Sequence, residues 1–136
     1  MRLTILLVVL LLTPNSVYGV QASWYSTEAC QDSHCLTADG SSLYELEARH
    51  ERFCASWDYP LGTKLNVYSV KSQHSTQVIV RDRGPTRRLA RRFNRRIDLS
   101  REAFQDIGNL REGIIEVTIK EDPTDSSSWK KRAAYE

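Results

Sequence analysis

The stretch between residues 63 and 81 constrains the fold of this chain more than any other. Residues 63–70 (TKLNVYSV) alternate Leu65, Val67 and Ser69 against Lys64, Asn66 and Tyr68, and residues 76–81 (TQVIVR) form a β-branched run after the polar turn 71–75. A period of two marks half-buried strands, not helices. Residues 20–25 (VQASWY) have strand composition, residues 96–99 are short and partly apolar, and residues 113–120 place Ile115, Val117 and Ile119 on one face. Helix signals are few. Residues 43–52 suit a short helix or turn, and Ser100 can cap a second helix, with Leu99 and Phe104 as a hydrophobic staple and Gly108 as its stop. Many short strands with one or two short helices predict a mainly β domain closed on itself, because closure removes the edges that so small a domain would struggle to cover.

The first 19 of the 136 residues read as a removable leader. Arg2 supplies a positive start, residues 3–12 are apolar, and Val17 and Gly19 put small residues at a cleavage site, the pattern of a secretory signal peptide. A membrane span would need about 20 apolar residues, roughly twice this run. The expectation is a released product, periplasmic or secreted, with no stable membrane insertion after cleavage and no lipid-bearing cysteine close behind the leader. The domain is expected over residues 20–120, and residues 121–136, which lack apolar periodicity, as a flexible tail. In an oxidising compartment Cys30, Cys35 and Cys54 predict one disulfide and one free thiol. A bond from Cys30 or Cys35 to Cys54 is preferred over Cys30 with Cys35, since closing a loop of roughly 20 residues contributes about 3 kcal/mol. His34 has no second Cys/His cluster with ligand spacing, so neither metal nor cofactor is expected.

Removing the leader takes away only Arg2, leaving 18 basic against 17 acidic residues and a net charge of +1. That balance predicts no nucleic-acid partner. It conceals a local excess: residues 85–96 (PTRRLARRFNRR) hold six arginines and no acid, and read as an electropositive loop. The loop joins two aspartate motifs, DRGP with Asp82 and IDLS with Asp98, each placed at a strand end. Each aspartate has a structural alternative. Asp98 could fix the start of the following helix, and Asp82 could pair with Arg81, Arg83 or an arginine of the loop.

The motifs ASWY (22–25), TADG (37–40), ASWDYPLGT (55–63), VIVRDRGP (78–85), RRIDLS (95–100) and the 113–119 strand follow the order seen in the RlpA-like (rare lipoprotein A) family. The sequence resembles that family from residue 22 to about residue 119. The resemblance implies a six-stranded double-psi β-barrel related to expansins and to the barrel domain of some lytic transglycosylases. It also implies action on peptidoglycan glycan strands, by cleavage of the N-acetylmuramic acid–N-acetylglucosamine bond without water to leave a 1,6-anhydro end. One carboxyl group suffices for that chemistry: it protonates the leaving oxygen, then takes the proton of the C6 hydroxyl. A hydrolase would need two carboxylates at a set separation.

Carried over by motif, Asp82 is the first candidate for the acid/base and Asp98 the second. Each could raise the other's pKa across a groove. Trp24, Tyr25, Trp57 and Tyr59 are candidate sugar platforms, with Arg83 and Arg96 beside them. Ser41 stands where the family commonly has Glu, and Ser56 where it commonly has His. Asp39 is a nearby acid that could stand in for the Glu. These two serines motivate the alternative of a non-catalytic, expansin-like glycan-binding module. A monomer is expected in either case.

Overall fold

The computed structural model describes residues 19–125. Residues 1–18 of the leader, and Trp129 and Tyr135 of the expected tail, lie outside the described residues. Along the chain run β1 (Val20–Tyr25), α1 (Leu43–Ala48), β2 (Phe53–Ala55), β3 (Lys64–Ser69), β4 (Ser75–Asp82), α2 (Arg87–Phe93), β5 (Arg95–Ser100), α3 (Arg101–Ile107) and β6 (Ile114–Glu121). The six strands close into a barrel in the order β1-β5-β2-β4-β3-β6. The β1–β5 and β2–β4 pairs are parallel, and the other four are antiparallel. Parallel neighbours need crossover connections, so the chain passes over the barrel twice and cannot be a simple meander.

The alternation read from the sequence is what fills the interior. Leu65, Val67, Val78, Val80, Ile97, Leu99 and Val117 have no exposed surface, and their strand neighbours face outward. Helix α3 stoppers the barrel with Ala103, Phe104 and Ile107. Its cap is as expected: the Ser100 hydroxyl accepts from the Ala103 amide, and the Gly108 amide donates to the Phe104 carbonyl. Asp98 takes no part in that cap.

Three elements depart from expectation. β2 has only three residues, too few to show a period, and is placed by pairing on both sides. The arginine-rich loop contains a helix, α2, in which Ala90 is the buried residue. Leu, Ala and Arg are strong helix formers, and Asn94 in the left-handed conformation ends the helix. The last strand begins at Ile114, because Gly113 turns at φ 69° after the short 3₁₀ turn Leu110–Glu112, and it runs through Glu121. Beyond it, the Asp122 amide donates to the Lys64 carbonyl, so ordered packing continues past residue 120.

The favoured disulfide is corrected. Cys30 and Cys35 are bonded, with Cα atoms 5.8 Å apart, and Cys54 is the free, buried thiol. Cys54 points into the barrel among Val80 and Leu99, whereas Cys30 and Cys35 pack outside it against a second cluster of Leu43, Leu46 and Phe53. The barrel wall separates them. The smaller ring stabilises less, by about 2 kcal/mol from loop-closure entropy. Urea denaturation of Cys35→Ser should show a loss of that order, and thiol labelling of the wild type should report one cysteine, reactive only after unfolding. A labelled Cys30 in the folded protein would contradict this arrangement.

Candidate functional site

The two aspartates meet through β2. Ala55 pairs with Asp82 of β4 on one side and with Asp98 of β5 on the other, and Asp98 pairs in turn with Ser23 of β1. Cys54 pairs with Val80 and the next residue, Ala55, pairs with Asp82, so β4 gains one residue, Arg81, at this point. Strict alternation would have sent Asp82 inward with Val78 and Val80. The extra residue turns it outward, to the face that carries Asp98. Gly84 packs directly on Ala55 and Asp98: a Cβ there would lie 3.0 Å from the Asp98 Oδ2 and 3.2 Å from the Ala55 Cβ.

The environments of the two carboxyls differ. Asp82 accepts from the Ala38 amide at 3.0 Å and the Arg83 amide at 2.8 Å, both on Oδ1, and from the Tyr25 hydroxyl on Oδ2 at 3.2 Å. Asp98 accepts from the Ser23 hydroxyl. Burial pushes the Asp98 pKa up and outweighs the lowering by the Ser23 hydroxyl and by Arg95, and the Asp82 charge makes a smaller contribution in the raising direction. Burial, and then the adjacent Asp82, hold the Tyr25 hydroxyl firmly protonated, which keeps it a donor. The Cys54 thiol is likewise pushed up by burial and by Asp98, and it faces the core.

The other candidates form the frame. Arg81 turns to Glu51 at 2.8 Å and to Asp39 at 3.0 Å. Asp39 also accepts from the Thr37 hydroxyl and the Ser41 amide, and these bonds outweigh burial and keep its pKa low. The turn carrying Ser41 therefore serves to present the Ala38 amide to Asp82. Ser56 is fully buried, donating to the Arg96 carbonyl and accepting from the Asp58 amide. Arg83 donates to the Ser56 and Tyr59 carbonyls at 2.7 and 2.6 Å, which ties that loop to the strand end. Tyr59 packs on the barrel core, and burial raises its pKa. Trp24 also packs on the core, its indole donating to the Leu110 carbonyl at 3.1 Å, on the side of β1 opposite Ser23. Trp57 is exposed at the rim, with its indole donating to the Pro85 carbonyl at 2.8 Å. Arg96 lies 3.8 Å from Asp58.

Ser23, Ala38 and Ala55 have no role in the sequence reading, and Gly84 there only shapes a turn with Pro85. The alternation of VQASWY, which puts Ser23 and Tyr25 on one face opposite Ala22 and Trp24, is the signal that could have found Ser23.

A sequence profile described as lytic transglycolase, a double-psi β-barrel family, matches residues 16–119. The chain belongs to this family. Members of the family share the barrel traced above, and similar barrels occur in solved structures. An apo expansin of Clavibacter michiganensis aligns with a TM-score of 0.58 at 19% identity, over 79% of this chain and 51% of the expansin. A point mutant of that expansin in complex with cellohexaose gives 0.57 at 18%, with the same coverages of 79% and 51%. Cerato-platanin 3 of M. perniciosa gives 0.53 at 13%, over 77% of this chain and 94% of its own. The chain thus spans about half the length of the expansin, and at these identities the likeness is one of fold. No curated protein sequence matches.

The Asp98 environment has a consequence for stability. A carboxyl whose folded pKa lies above its unfolded value of 3.8 contributes most below that value, and the contribution is lost as pH rises through the folded pKa. Asp98→Asn keeps an acceptor for Ser23 and cannot ionise. It should raise Tm at neutral pH, with the gain shrinking towards about pH 3. Equal destabilisation at both pH values would contradict the assignment.

Proposed function

We propose that the protein is an exported lytic transglycosylase that cleaves peptidoglycan glycan strands with formation of a 1,6-anhydro end, and that Asp98 is its acid/base. The observation that carries this reading is the placement of a partly buried carboxyl with a raised pKa across one alanine from a second carboxylate on the barrel's outer face. Family membership and the disulfide are consistent with it.

The preference for Asp98 over Asp82 follows from their surroundings. An acid needs a pKa raised towards the working pH, and partial burial raises that of Asp98, with a smaller contribution from the Asp82 charge. Asp82, met by two amides and a phenol, suits a fixed anion that tunes Asp98 and stabilises positive charge developing at the sugar. In the proposed reaction protonated Asp98 gives its proton to the glycosidic oxygen as the bond to the muramic C1 breaks. The Asp98 carboxylate then takes the proton of the C6 hydroxyl, whose oxygen bonds to C1 and closes the anhydro ring. The acid is regenerated and no water is consumed. Ser23 holds the carboxyl in place through Oδ1.

A second reading, a glycan-binding module without cleavage, is favoured by one observation. Ser41 and Ser56 occupy the positions where Glu and His are common in the family, and Ser56 is buried in a structural role.

Purified glycan strands incubated with the protein should yield anhydro-ended products detectable by mass spectrometry. Asp98→Asn should lower the rate by about 100-fold or more. Asp82→Asn should lower the rate by less than Asp98→Asn does, since it removes the facing anion and leaves the acid in place, and the remaining activity should be lost at slightly lower pH than in wild type, because the Asp82 charge raises the Asp98 pKa. Strands that stay intact but pellet the protein would favour the binding module. Undiminished cleavage by Asp98→Asn would reject the assignment.

A further inference from the structure

The basic helix α2 bears no relation to the proton transfer above. Arg87, Arg88, Arg91 and Arg92 are exposed on it, and among the described residues none of them forms an ion pair with a carboxylate. Arg91 and Arg92 lie in its last turn, where the backbone dipole favours cations. Arg87 and Arg88 lie in its first turn, where the backbone dipole disfavours cations, and Thr86 supplies no side-chain cap there. Propensity accounts for a helix at this place but not for four uncompensated charges on it.

Two of the four are organised. Arg87 and Arg91, one turn apart, line a pocket of about 220 Å³ together with Trp57, Asp58, Ala90 and Arg96. The Arg87 guanidinium lies 4.3 Å above the Trp57 ring. This cation–π contact positions the guanidinium without using a hydrogen bond, and a guanidinium so held can offer its N–H donors to a carboxylate or phosphate. The pocket also contains an acceptor, Asp58, held 3.8 Å from Arg96. A densely charged polymer would meet repulsion there, whereas sugar hydroxyls would find a partner. The pocket is joined to the two aspartates through the chain, since Trp57 lies two residues beyond Ala55 and its indole is bonded to Pro85, next to Gly84.

We propose that this pocket is a subsite for the acid substituent of a carboxylate-bearing sugar, engaging Arg87 and Arg91 while a neighbouring linkage of the same strand lies at Asp82 and Asp98. The proposal rests on the reading that a glycan strand occupies the aspartate site, but not on its being cleaved there.

The test measures binding in an Asp98→Asn background, so that strands persist. The probes are soluble oligomers of alternating N-acetylglucosamine and N-acetylmuramic acid, with free carboxylates or with the carboxyls converted to methylamides. The free-acid oligomer should bind more tightly, with an advantage that falls as salt rises. Arg87→Ala/Arg91→Ala should weaken it by about tenfold or more and leave the methylamide oligomer nearly unchanged. Arg88→Ala/Arg92→Ala removes the same charge from the same helix outside the pocket and should have a much smaller effect. Equal losses from the two pairs, equal affinity for the two oligomers, or binding of duplex DNA as tight as that of the free-acid oligomer would overturn the subsite. Anhydro products formed by the wild type equally from both oligomers, without an affinity difference, would overturn the subsite and leave the cleavage reading standing. A clear affinity difference without anhydro products would support the subsite and reject cleavage.

Discussion

One extra residue in β4 decides what this barrel can do. Val78 and Val80 face the core, and continued alternation would bury Asp82 behind them, an outcome prohibitive for an unpaired carboxylate. The register shift at Arg81 instead puts Asp82, Ala55, Asp98 and Ser23 in one row across four adjacent strands. Everything proposed about chemistry depends on that row. The carboxylate pairing follows from it, as do the hydrogen bonds from Tyr25 and Ser23 and the need for small residues at positions 55 and 84. The displaced Arg81 is used as well, since it anchors Glu51 and the Asp39 turn that delivers an amide to Asp82.

The barrel itself was largely legible in the sequence. Leu65, Val67, Ile115 and Val117 announce their faces by period two, the β-branched run 76–81 announces a strand, and Ser100 and Gly108 announce both ends of α3, because alternation, composition and capping are local properties. What was hidden depends on partners far along the chain. β2 is too short to show a pattern and exists because β4 and β5 flank it. The pairing of Cys54 turned on which side of the barrel wall it faces, which loop-length arguments do not address. The helix at Arg87–Phe93 has propensity on its side but almost no apolar stripe, with Ala90 its buried residue.

The site was legible in its residue types more than in its roles. DRGP and IDLS mark Asp82 and Asp98, but motif text does not reveal that one carboxyl meets two amides and a phenol while the other, partly buried, meets a hydroxyl. Those differences, on which the proposed roles rest, arise from the bulge and from the close packing of Gly84 on Asp98. The charge arithmetic shows the same gap between composition and place: a net charge near zero coexists with a helix carrying four exposed arginines.

The central claim is that Asp98, beside Asp82, holds its proton beyond the ordinary aspartate range. A carbon-13 NMR titration of the side-chain carboxyls tests this without any substrate or assumption about cleavage. The Asp98 resonance should titrate above the usual aspartate pKa of 3.8. An Asp98 that titrates at or below that value would contradict it.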